Sequence, residues 1–137
     1  MTLLMLSVIK QYINFIILFL ENGADINKKN IKDGNTALHY TAKVKNKNVI
    51  EIFLKDKKCD FLIKNNNNET IVDLASNNNC STEINTLLAS KYEEQQKLLE
   101  EKTVQEEIKT NNNNYGNMNT VFIRLIPQGQ NFLAVFP

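Results

Sequence analysis

One histidine, two cysteines and three adjacent glutamate pairs are where this 137-residue chain would keep proton-transfer, nucleophilic or metal chemistry. His39 stands alone, so beyond it no Ser–His or Cys–His dyad can be assembled. Cys59 and Cys80 show neither CxxC nor Cys/His spacing, which argues against a zinc site and for reduced thiols in a cytosolic setting. Glu93–Glu94, Glu100–Glu101 and Glu106–Glu107 alternate with lysines in a stretch of strong helix formers, the pattern of a solvated helix face. Glycines 23, 34, 116 and 129 are too scattered for a phosphate loop. Two glycosylation sequons, Asn68-Glu69-Thr70 and Asn79-Cys80-Ser81, fall in so asparagine-rich a chain that chance accounts for them. Catalysis, a metal and a cofactor are therefore not expected.

Bulk charge points the same way. Sixteen basic against 15 acidic residues leave a net charge of +1 and no pull toward nucleic acid or an anionic membrane. Arg124 is the lone arginine, so bidentate phosphate recognition has little to work with. Asparagine is abundant, with 22 residues and runs at 65–68, 77–79 and 111–114 that read as low-complexity segments of compositional origin. A cytoplasmic chain is expected, and the nucleus stays open as the lesser alternative.

The elements that must position these groups begin with MTLLMLSVIKQYINFIILFLENGADIN. No charge precedes the apolar run, as a signal peptide would require. Lys10, Gln11 and Asn14 sit at its centre, where a lysine costs a membrane span about 2.5–3.5 kcal/mol. The spacing instead predicts two helices joined by a polar turn at Lys10–Gln11, the second carrying Ile13, Ile16, Ile17 and Leu20, with Gly23 at its stop.

An internal repeat supports that reading. Thr2, Thr36 and Thr70 are 34 residues apart, and each opens a short apolar stretch with a small residue five or six positions on: Ser7, Thr41 with Ala42, and Ala75. Threonine is a good helix N-cap, since its hydroxyl satisfies an orphan backbone N–H. A polar break and a second apolar helix follow each time. A period of this length belongs to solenoids, whose repeats bury their faces only by stacking.

TALHYTA (36–42) resembles the TPLHxA signature of ankyrin repeats, ENGADIN (21–27) the link from second helix to hairpin, and KDGNTALH (32–39) the hairpin tip. The resemblance covers residues 2–90. It implies a mainly α helix-turn-helix solenoid that binds another protein without catalysing a reaction. It also implies structural roles for Thr36, His39, Gly23 and Gly34, with His39 making a hydrogen bond rather than acting in catalysis. The chain departs from the family in its 34-residue period, with extra residues placed within 28–33 and around Lys57–Lys58. TIVDLA replaces TPLHLA in repeat three, and Asn68 stands where the hairpin glycine is expected. Asp73 suits the polar outer face of a terminal repeat.

Carried onto this chain, the family's contact positions are Ile9 and Lys10, then Lys32, Asp33, Asn35, Lys43 and Val44, then Asn66, Asn67, Glu69 and Asn77. Lysines 28, 29, 32, 43, 45 and 47 would make one side of the groove basic and suit an acidic partner. The first repeat lacks its hairpin arm, so either the natural chain extends upstream or a partner or second copy covers the bare face. Residues 91–110 predict a charged linker helix extending the last repeat helix; self-association through it or through the first repeat stays open. Residues 111–119 read as an Asn-rich linker. Residues 120–137 read as a β-hairpin-like tail, alternating Val121, Ile123 and Leu125 before a PQGQ turn, which faintly resembles the opening of ubiquitin-like modules and suggests a truncated second domain. The alternatives are a targeting arm of a larger enzyme such as a kinase or ubiquitin ligase, and a membrane-tethered protein.

Overall fold

Three threonine-initiated helix pairs make up the structure, a computed structural model that describes the backbone of residues 1–114 and the side chains of residues 1–108. The pairs are α1 (Leu3–Lys10) with α2 (Ile13–Glu21), α3 (Ala37–Val44) with α4 (Lys47–Lys55), and α5 (Ile71–Asn77) with α6 (Thr82–Asn114). Each first helix starts in a capping box, and its third residue changes from repeat to repeat. The Thr2 hydroxyl accepts from Met5 N–H at 3.2 Å. The Thr36 N–H donates to His39 Nδ1 at 3.0 Å. The Thr70 N–H donates to the Asp73 carboxylate at 2.9 Å. A local interaction worth about 1 kcal/mol thus recurs every 34 residues and fixes where each pair begins.

Two further positions share that register. The turn between the paired helices places Gln11, Lys45 and Asn79 in the left-handed region, at φ 59°, 59° and 55°. The hairpin tips place Gly34 and Asn68 there, at φ 73° and 63°. Asparagine tolerates that region better than most residues, so Asn68 fills the glycine position with little cost. The first tip is the longer one. Asn30 N–H bonds the Asn35 carbonyl, whereas Asn65 N–H bonds that of Glu69. The extra residue therefore lies in the tip, inside the 28–33 window expected from the sequence.

Residues 1–95 form the first of two units. In it α1 packs on α2 and α3, and α3 packs on α4 and α5. The core is continuous along the stack: Leu4, Met5, Val8 and Ile16 from repeat one, Leu38, Ala42, Val49, Ile50 and Phe53 from repeat two, and Ile71, Leu74, Ala75, Ile84 and Leu88 from repeat three. Leu4, Met5 and Val8 are buried, as are Leu38, His39 and Ala42 one period later. One period later again, Val72 is half-buried while Asp73 and Ser76 are exposed. The face that earlier repeats bury beneath a successor is thus polar in repeat three, as a terminal repeat requires.

α6 also closes that end. The Gln95 amide donates to the Cys59 carbonyl and accepts from Phe61 N–H, both at 2.7 Å. It satisfies a stretch of the link into repeat three that has no repeat of its own to lean on. Gln95→Ala is expected to cost about 1–2 kcal/mol, measured by urea unfolding, because the Cys59 and Phe61 backbone groups lose their partner. Cys59 is buried there, and burial with the nearby Asp56 and Asp60 pushes its thiol well above the ordinary range, so it is inert. Cys80 follows the left-handed turn residue Asn79. It is buried, its thiol donating to the Ala42 carbonyl at 3.4 Å between repeats two and three.

The second unit starts at Gln96, and the described part of it is the remainder of α6. That helix continues to Asn114, past position 111, where the Asn-rich linker was expected to begin. The β-hairpin-like tail expected at 120–137 lies outside the described residues, and the described residues contain no strand. Among them, no helix is long and apolar enough to cross a membrane.

Candidate docking surface

The hairpin tip of repeat two and the adjoining end of α3 bring most of the expected contact residues together, through a residue the sequence reading overlooked. Tyr40 is buried on α3, and its hydroxyl donates to Asp33 Oδ2 at 2.8 Å and accepts from Asn30 Nδ2 at 2.8 Å. Asn35 N–H donates to the other oxygen of Asp33 at 2.9 Å. Lys43 Nζ lies 5.4 Å from the Tyr40 ring centroid, close enough for a cation–π contact. Burial alone would raise the Asp33 carboxyl, but the Asn35 and Tyr40 hydrogen bonds and the Lys43 charge outweigh it and hold the group below its ordinary range. Burial pushes the Tyr40 phenol up. Tip and helix are thereby locked in one geometry.

The second tip is tied to the first. The Asn66 N–H donates to the Asp33 carbonyl at 3.0 Å, and its amide donates to the Lys32 carbonyl at 3.3 Å. The Asn65 amide donates to Asn35 Oδ1 at 2.9 Å, and Asn65 Oδ1 accepts from Asn67 and Glu69 N–H, each at 3.0 Å. The 65–68 run is therefore not featureless. Each asparagine holds a separate position in the turn.

His39 is the centre of the junction. It is 1 % exposed, and its Nε2 faces the Glu69 carbonyl at 3.2 Å. A carbonyl only accepts, so Nε2 carries the hydrogen and Nδ1 is left to accept from Thr36 N–H. Burial holds the ring below the usual histidine range, and the Glu69 and Ile63 carbonyls pull upward without offsetting it. The ring is a structural clamp between repeats two and three.

This bonding separates the expected contact residues into two sets. Ile9, Lys10, Lys32, Lys43 and Asn67 are exposed. Asn35 is not: at 4 % exposure it is spent on Asn65, which corrects its assignment as a contact residue. Asp33 and Glu69 are half-buried with their carboxylate oxygens already engaged, Glu69 by Asn65 and Asn77. Val44 is half-buried against the core. Asn66 and Asn77 are exposed but bonded internally. The family positions were assigned as outward-facing, whereas this chain uses several of its polar ones to bind its own tips together.

The charges follow the same division. Among the described residues, Lys47 pairs with Glu83 and with Glu51, and Lys91 with Glu94. Lys28, Lys29, Lys32, Lys43 and Lys45 form no ion pair with any described residue, and all five are exposed. No group of three or more potential metal ligands occurs among the described residues. The glycines 23 and 34 hold positive φ, 85° and 73°, as turn residues should.

The 34-residue register of capping box, left-handed turn and hairpin tip has a counterpart among known families. A family model described as ankyrin repeats (3 copies) matches residues 4–101. The chain belongs to the ankyrin-repeat family.

Proposed function

We propose that this chain docks an acidic segment of another protein through the groove between its hairpin tips and first helices, and carries out no reaction itself. Ankyrin repeats are in general modules of protein–protein interaction, and the family is typically non-catalytic. The contact set is Lys32, Lys43 and Asn67, extended by Ile9 and Lys10, with Asp33, Asn35, Val44, Asn66, Glu69 and Asn77 holding the groove in shape. The observation that carries this reading is the set of five exposed lysines, 28, 29, 32, 43 and 45, without an ion-pair partner among the described residues. Lys29 acts on His39 and Lys43 on Asp33 at a junction whose polar groups are otherwise bonded, so an incoming carboxylate would meet cations ready to pair. A cytoplasmic or nuclear setting suits such a module, and pairing through the 91–110 stretch of α6, where Leu98 and Leu99 are exposed, would be a secondary contact.

Reversing charge at Lys32 and Lys43 together with Asn67→Ala is expected to lower capture of groove-bound prey from lysate at least tenfold, with only the modest fall in unfolding temperature that loss of the Lys43–Tyr40 contact brings. Raising salt to about 0.5 M should weaken wild-type capture in the same direction, because exposed charges are screened. Unchanged capture of every prey by the folded triple variant would remove the groove from the account.

A further inference from the structure

We propose that the outer face of the first helix pair is a self-docking surface, on which a second copy of this chain stacks N-terminal repeat to N-terminal repeat. This surface is separate from the groove and stands independently of the function proposed for it. Leu3 is 66 %, Leu6 44 %, Phe15 51 % and Leu18 48 % exposed. The positions 34 residues later are Ala37, Tyr40 and Val49, all buried, and Ile52, packed half-buried on the core. In repeat two Ala37 and Tyr40 belong to α3, the helix that packs on α1, and Val49 and Ile52 to its partner α4. The same positions in repeat one therefore form a stacking face of a kind this chain already buries once, here left bare. Tyr12 extends it through ring contact with Phe15, whose ring in turn contacts Phe19, both at 6.0 Å between centroids.

The occupant follows from what each end of the stack offers. Repeat three ends in exposed Asp73 and Ser76, so a head-to-tail stack would set leucine and phenylalanine against polar groups. Head-to-head pairing sets apolar on apolar. α1 and α2 together carry Lys10 and Glu21 as their only charges, so two identical faces meet without like-charge repulsion across the contact. A self-complementary face also closes on itself as a two-fold dimer, with no open growth. The five side chains offer on the order of 500 Å² of apolar surface per chain, scaled from about 200 Å² for a buried aromatic. A standard interface takes about 800 Å² per partner. Met1, also exposed, adds to the apolar surface at the rim, and an interface below the standard area is expected to dissociate on dilution.

The test is sedimentation equilibrium of the full chain from about 5 to 200 µM, for wild type and for Leu6→Glu and Phe15→Glu. The expected result is a rise from 15.7 kDa toward twice that mass in wild type and loss of the rise in both variants, with helical circular dichroism retained. Should either variant unfold, Leu3→Gln and concentration-dependent amide protection confined to residues 2–22 read the same contact. A wild-type chain that stays monomeric at 200 µM overturns the proposal, and if that monomer sediments with phosphatidylcholine vesicles the face belongs to a lipid surface instead. A dimer that survives Phe15→Glu but dissolves on Leu98→Glu with Leu99→Glu overturns it too, because α6 would then be the contact.

Discussion

Gly34→Ala is expected to destabilise the protein by about 3 kcal/mol, seen as a shift of the urea midpoint and a fall in unfolding temperature of more than about 10 °C. Two separate costs add. At φ 73° a residue with a Cβ pays roughly 1–2 kcal/mol for the left-handed conformation. The added carbon would also stand 2.7 Å from the Asn66 backbone nitrogen, where no side-chain rotation relieves it, and 2.9 Å from Asn66 Cγ. Displacing Asn66 breaks its bonds to the Asp33 and Lys32 carbonyls, which tie the two hairpin tips together. Gly23 separates the two contributions. Its φ is 85°, yet a Cβ there meets nothing within 4 Å, so Gly23→Ala should cost about 1 kcal/mol. Equal effects from the two substitutions would mean that the tips do not approach one another as described.

His39→Ala is expected to cost about 3 kcal/mol and to flatten the dependence of stability on pH. The substitution leaves Thr36 N–H and the Glu69 carbonyl without their ring partners in a buried site and opens a cavity between repeats. The pH effect follows from the depressed folded-state pKa of the ring, which burial imposes first. Below the ordinary histidine value of about 6.5 the unfolded chain takes up a proton that the native ring refuses, so stability falls as pH falls from 7 toward 5.5. Asp33, held below the carboxylate range, releases its contribution only near pH 4 and lower, so the two effects fall in different windows. Chemical denaturation at pH 7.5 and 5.5 reads the difference directly. Wild type should lose stability between them and His39→Ala should lose far less.

Much of the architecture was legible because it is written in local chemistry repeated at a fixed period. A threonine before an apolar run announces a capping box wherever it stands, and the sequence placed all three helix starts at Thr2, Thr36 and Thr70. Lys10–Gln11 marked the turn in the apolar N-terminal stretch, and Gln11 takes the left-handed cap there. Asn68 was readable as a substitute glycine for the same local reason.

The bonds that are not periodic were not legible. Gln95 is one more glutamine in a charged helix until the chain folds and sets it against residues 59–61, so nothing in its neighbourhood announced the bracket. The asparagines at 65–68 read as compositional noise because their distinct partners, Asn35, Lys32 and Asp33, lie about thirty residues upstream. Tyr40 could have been noticed as the aromatic in TALHYTA, one turn from the tip, with Asp33 as the acceptor for its hydroxyl. The polar flanks of Cys80 give no sign of its burial, yet the chain past the left-handed turn at Asn79 brings it to the Ala42 carbonyl. The site residues divided for the same reason. A family contact position fixes where a side chain sits on the fold, and only the completed hydrogen-bond network decides whether it remains free.

The fold depends on helix pairs leaning on one another in register, and a nuclear Overhauser spectrum of the full chain tests that most directly. Contacts are expected from α1 side chains both to α2 and across to α3, with the intervening Gln11 showing the strong intraresidue HN–Hα Overhauser contact of a left-handed residue. Sequential helical contacts running unbroken from residue 3 to residue 21, with none from α1 to α3, would contradict it.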